Sequence, residues 1–289
     1  MKPEGAKGMI SVPDYYAHLC FGRRVLELLP KDVRSAAENG RAAYEYGLFG
    51  PDPLFFYKPA RREPARLAAY AAHHKPGREM LGRMLAPAAD GEPFAMPYAL
   101  GLSCHFALDS ACHPYIQRRG KRGDISHIAL EAEFDRMLME RNGIDAMRVT
   151  PQPHPDMPEE FYAAAARAHE YATAEIMREA FAAFYKYSHL FTKVNGTPLR
   201  IAVNVVGTVF PGCSNAKGLI LGKKPAAPVR EINEKLDALL EENAQRAAAA
   251  VCAFYASAAG RTELPDMFDA DFYGAVKRRP LAEPADARA

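Results

Sequence analysis

The sequence predicts an all-α protein built as a single multi-helix domain, and three observations predict it. Alanine is abundant, long segments lack the alternation that marks strands, and apolar residues recur at helical spacing in several runs. A chain of 289 residues can bury a substantial core in one unit. We place the helical domain at residues 1–275 and read the Pro- and Ala-rich residues 276–289 as a mobile tail.

Residues 13–29 read as the first helix. Pro13 suits an early helical position, Tyr16, Cys20 and Leu26 lie near one stripe, and Pro30 ends it. His18 sits inside and, taken alone, reads as a partly buried histidine with a backbone partner. Asp32 or Ser35 is the expected cap of a helix over 32–46 that stops near Gly47. The stretch from Gly47 to Pro53 is turn chemistry, and it sets Asp52 between two prolines. A helix over 63–85 carries His73 and His74, which face about 100° apart and so can hardly serve one ion. Residues 87–97 read as a loop.

The next stretch, 97–113, carries the chemistry. His105, Asp109 and His113 stand four residues apart, which on a helix puts them on one face, each about 6 Å further along the axis. The flanking residues Tyr98, Leu100, Leu102, Phe106 and Leu108 predict a buried helix. A buried helix has little reason to line up two imidazoles and a carboxylate unless something pairs with them. His127 and Glu131 repeat the spacing on a second helix, with Ser126 as its expected cap. Five potential ligands on two helices form the imidazole-and-carboxylate set that suits zinc.

Pro114 has no N–H and is expected to end the first of these helices. The link 117–124 is basic and glycine-punctuated, either a solvated loop or a rim that draws in a phosphate group. Residues 142–160 hold Pro151, Pro153, Pro155 and Pro158 around a solvated His154 and read as a linker. A long alanine-rich helix is expected over 158–188, with His169 and His189 in packing or surface roles. Residues 199–210 are ambiguous by periodicity, and a last helix spans 228–258.

Lys plus Arg number 37 against 35 Asp plus Glu, so bulk charge gives no basic footprint and no stable nucleic-acid partner is expected. The five cysteines (Cys20, Cys104, Cys112, Cys213 and Cys252) show no paired close spacing and read as reduced thiols. Residues 1–13 contain no apolar run of signal-sequence type, and no segment approaches membrane-spanning length. The expected localisation is cytoplasmic.

The phrases GLSCHFALDSACHPYI (101–116) and ISHIALEAEFDRML (125–138) resemble the zinc-dependent phospholipase C family, especially bacterial members lacking a signal peptide. YYAHLCFGRRVLELLP (15–30), GLFGPDPLFFYKP (47–59) and HHKPGREML (73–81) match it in order. The resemblance implies the all-helical fold shared with the single-strand nucleases, which favours helix at 199–210. It also implies eight metal ligands: His18, Asp52, His73, His105, Asp109, His113, His127 and Glu131. Asp52, His73, His105 and Asp109 would surround one zinc, and His113, His127 and Glu131 a second. His18 and Asp109 would serve a third, with Asp109 bridging.

The implied reaction is attack of metal-activated water on the phosphorus of a phospholipid head-group phosphodiester, with Asp52 orienting or deprotonating that water. Two departures stand out. Secreted relatives use an amino-terminal tryptophan as a ligand, and this chain has no Trp, which leaves two or three ions. His113 follows Asp109 by four residues, where the secreted enzymes place that histidine further on. Two other readings are a single-strand-nuclease-like phosphodiesterase and a non-catalytic helical protein with structural zinc.

Overall fold

A computed structural model describes residues 15–59, 61–123, 125–195, 220–225 and 229–276. Its centre is α7 (Ala95–Gly120), a helix with apolar side chains on every side, as a helix enclosed by others must have. Around it pack α1 (Tyr15–Leu28), α2 (Lys31–Glu38), α3 (Arg41–Gly47), α6 (Leu85–Ala89), α8 (His127–Arg141), α9 (Glu159–Ala168) and α11 (Val229–Gly260). α4 (Pro64–Ala72), α5 (Gly77–Gly82), α10 (Ala174–Val194) and a 3-10 turn over Asp52–Phe56 complete the arrangement. Among the described residues there is no strand, only an isolated bridge between Ala270 and Val276. The all-α class read from the sequence holds.

Two glycines set how closely α3 approaches α7. A Cβ on Gly47 would collide with the Tyr98 carbonyl, and one on Gly101 with the Tyr44 carbonyl. The two helices therefore touch backbone to backbone, and this carries the Leu48 carbonyl to within 3.1 Å of His105 Nδ1. Gly101→Val should force the pair apart and cost about 1–3 kcal/mol, the usual penalty of overpacking. A lower urea midpoint at unchanged slope would register it.

Several expected boundaries need correction. The helix expected over 32–46 is two, α2 and α3, broken at Asn39–Gly40 where the Pro97 side chain lies against Gly40. Neither Asp32 nor Ser35 caps α2; Pro30 holds the cap position and Asp32 falls in the first turn. Pro76 divides the expected helix over 63–85 into α4 and α5, which leaves His73 at the C-terminal end of α4. The expected loop over 87–97 is partly helical, covered by α6 and the start of α7. Helix α7 does not stop at Pro114 but continues to Gly120, because Ile116, buried beyond the proline, keeps the last turns docked. The first residues of the basic link are therefore helical. Ser126 does cap α8, its Oγ accepting the Ala129 N–H at 3.2 Å.

The expected helix over 158–188 is likewise two, α9 and α10, separated at His169–Thr173. Thr173 Oγ1 caps α10 by accepting the Ile176 N–H at 3.2 Å. His169 is buried at this break, 2.9 Å from the Tyr98 hydroxyl. Burial, assisted by Arg83 and then by the other histidines, pushes its imidazole down to about 3. Unfolded, the same group takes up a proton near pH 6.5. The contribution of His169 to stability is therefore complete above about pH 6.5 and is lost as pH falls from there towards 3. His169→Gln should flatten that acid limb, measured as urea midpoint against pH.

Among the described residues, Cys20, Cys104, Cys112 and Cys252 form no disulfide with one another. No helix among the described residues is long and apolar enough to cross a membrane. Residues 199–210, Cys213 and the tail beyond 276 lie outside the described residues.

Candidate metal centre

The eight side chains singled out from the sequence come together in one buried cluster. Asp109 lies in its middle. Its Oδ1 is 3.3 Å from His18 Nε2; its Oδ2 is 3.2 Å from His105 Nε2 and 3.8 Å from both His73 Nε2 and His113 Nδ1. Asp52 Oδ1 adds a contact of 3.2 Å to His73 Nε2. At the start of α8, Glu131 Oε1 lies 2.6 Å from His127 Nε2 and 3.4 Å from His113 Nε2. Three sets of converging ligand atoms result: His18, Asp52 and His105; His73, His105 and Asp109; His113, His127 and Glu131.

Each element brings its ligand for a local reason. Helix α7 supplies three from one face by its four-residue spacing, and α8 supplies two. The turn after α3 bends back at Gly50, whose φ of +52° and missing Cβ let the chain pass against the His105 ring. That bend delivers Asp52 at the head of the 3-10 turn, where it is buried. His73 reaches in from the end of α4, backed by Phe55 and Phe272. His18 stacks on His105 with ring centroids 4.5 Å apart.

Three of the histidines are oriented by backbone carbonyls. Nδ1 of His73 is 3.0 Å from the Ala69 oxygen, that of His105 3.1 Å from the Leu48 oxygen, and that of His113 3.0 Å from the Phe272 oxygen. A carbonyl only accepts, so Nδ1 carries the hydrogen and Nε2 turns its lone pair into the cluster. Histidines that bind metals are ordinarily held in this way.

A scan against protein families decides the relationship: the family described as zinc dependent phospholipase C matches residues 17–195, more than half of the chain. The chain belongs to the zinc-dependent phospholipase C family. No curated protein and no solved structure matches it. All eight cluster residues lie within the matched span.

The residues present fit the zinc that the family's description implies. Burial pushes the Asp109 carboxyl up, but His105 and His113 outweigh it and hold the group well below the usual carboxylate range. Glu131 behaves alike: burial raises it, and His127 and His113 bring it down to about 2. For His73 burial lowers the imidazole, and Asp52 together with Asp109 raises it above its ordinary value. The cluster thus holds ionised carboxylates that need positive charge beside them, from imidazole protons or from a cation in their place. Three buried atoms, Asp52 Oδ1, His105 Nε2 and Glu131 Oε2, make no directed hydrogen bond within the described residues. Leaving such atoms unmet costs several kcal/mol, of order 1–3 for each, and a divalent cation would meet them.

Two contributors escaped the sequence reading. Asp135 continues the α8 row four residues beyond Glu131. Its carboxylate accepts the N–H groups of Tyr16 at 3.0 Å and Ala17 at 2.7 Å, pinning the start of α1 next to His18. The repeated four-residue spacing of His127, Glu131 and Asp135 was the available signal. The other is the segment 270–276, where Phe272 packs on His73 and His105, and Tyr273 on His113 and His74. The Tyr273 phenol is pushed above its ordinary value by burial and then by Asp109, Glu131 and Asp52.

Proposed function

We propose that this protein is a zinc-dependent phosphoric-ester hydrolase of phospholipase C type, acting on the phosphodiester of a phospholipid head group. The observation that carries the reading is the convergence of five imidazoles and three carboxylates in one buried cluster, with three of the rings locked Nε2-inward. His73, His105 and Asp109 would hold one ion, and His113, His127 and Glu131 another. His105 belongs to two of the sets but has one inward lone pair, so it can serve only one ion. A third would rest on His18, Asp52 and the second oxygen of Asp109.

Bound zinc supplies Lewis-acid stabilisation of phosphate charge and makes water acidic enough to react near neutral pH. The chain's own part is to position and to move a proton. Asp52 stands on a separate rigid turn, and its Oδ1 faces the cluster. It would accept the proton of the attacking water as the water oxygen bonds to phosphorus and the bond to the leaving oxygen breaks, the released alkoxide taking up a proton from solvent. Asp109 and Glu131 act as fixed negative charges that keep the imidazoles in place.

The test is zinc analysis of the purified protein together with turnover of phosphatidylcholine vesicles, a chromogenic phosphodiester and single-stranded DNA. Hydrolysis of the phospholipid that stops on chelation supports the reading. Cleavage of DNA alone points to a nuclease. Full zinc occupancy with no hydrolysis of any of the three assigns the metal a structural role.

A further inference from the structure

We propose that the C-terminal hairpin Ala270–Val276, which lies outside the span matched by the family, is a positioning element of the metal centre. Its Phe272 carbonyl sets the ring of His113 so that Nε2 meets His127 and Glu131. The inference rests on the reading that these three residues hold an ion.

The hairpin is built to keep one shape. Ala270 and Val276 form an antiparallel bridge. The Asp271 carboxylate, buried, accepts the N–H groups of Tyr273 and Ala275, both at 2.9 Å. The backbone closes on itself as well: Asp271 N–H donates to the Ala275 oxygen and Gly274 N–H to the Asp271 oxygen, each at 2.9 Å. Gly274 takes φ of +74°, a conformation that glycine adopts without strain.

It is also docked from several directions. Gly77 N–H donates to the Ala270 oxygen at 2.9 Å, and Phe272 N–H to the His73 oxygen at 3.2 Å. A Cβ on Gly274 would stand 2.6 Å from the Ser110 oxygen and 3.2 Å from Pro114 Cγ. The hairpin thus seats on α7 where Pro114 has no N–H to give the Ser110 carbonyl, at the residues that directly follow Asp109 and His113. Phe272 is fully buried against His73, His105 and Phe106.

His113 needs this support more than its neighbours do. The carbonyls that hold His73 and His105 belong to α4 and to the end of α3, elements fixed by the core. His113 Nδ1 has a second acceptor within reach, Asp109 Oδ2 at 3.8 Å, and turning towards it would swing Nε2 away from Glu131. The Phe272 oxygen at 3.0 Å wins that competition while the hairpin is seated. Partners of this kind ordinarily change metal affinity about 10–100-fold when lost.

The experiment is a zinc titration of the full chain against a chromogenic chelator, on the unaltered protein, Asp271→Ala, Gly274→Ala and Asp271→Asn. In Asp271→Ala and Gly274→Ala one zinc should weaken about 10–100-fold while another stays within about twofold. Asp271→Asn keeps an acceptor oxygen for the hairpin N–H groups and should stay near the unaltered protein. Equal weakening of every zinc, or no weakening, overturns the inference. An unaltered protein that binds no zinc overturns the functional proposal first, and this one with it. NMR of 15N-labelled imidazoles reads the same point without substitution: His113 should carry its hydrogen on Nδ1, protected from exchange. The Nε2-protonated tautomer would contradict it.

Discussion

Asp109→Ala is expected to strip zinc from the protein and to abolish phosphoester hydrolysis at the same time. Asp109 touches His18, His73, His105 and His113, so its two oxygens face four of the cluster's five imidazoles. On the proposed assignment, removing it would take a ligand from two ions, and it takes the central negative charge from four imidazoles. Metal-borne charge stabilisation is worth several kcal/mol, so turnover should fall by roughly 10³-fold or more. Fold should survive, because α7 is held on its other faces by α3 and α11. Atomic absorption and circular dichroism on the same sample check both halves. Retention of zinc with normal turnover would remove Asp109 from the site.

Asp52→Asn should separate the two properties. Asparagine fits the same 3-10 turn and keeps an oxygen beside His73, so most metal should remain. It cannot take a proton, and loss of a general base ordinarily costs about 10²–10⁴-fold. The check is turnover and zinc content in one preparation. Undiminished turnover at full loading would reassign Asp52 to a purely structural place.

The site was legible in the sequence to the extent that it is local. His105, Asp109, His113, His127 and Glu131 announce themselves because helical periodicity alone puts each set on one face. Asp52 and His73 carry no such signal, and only resemblance to a family selected them. Asp135 follows the same period as Glu131, but its role is not legible from that spacing, since its partners are backbone N–H groups more than a hundred residues away.

Boundaries failed where tertiary contact outweighs local preference. Alanine-rich sequence keeps its period through Asn39–Gly40 and through His169–Thr173, where the chain nonetheless breaks around Pro97 and around the buried His169. Pro114 failed in the other direction: a local stop signal was overridden by the packing of Ile116. The hairpin at 270–276 left only an Asp and a Gly as turn residues, and its place beside His113 is a product of the whole fold.

The most direct measurement is a crystal structure of the full chain with anomalous diffraction collected on both sides of the zinc edge. Two or three peaks are expected among these eight side chains, with imidazole nitrogens and carboxylate oxygens about 2.0–2.2 Å from them. A clean difference map in the cluster, with His73, His105 and Asp109 paired only to one another, would contradict the assignment.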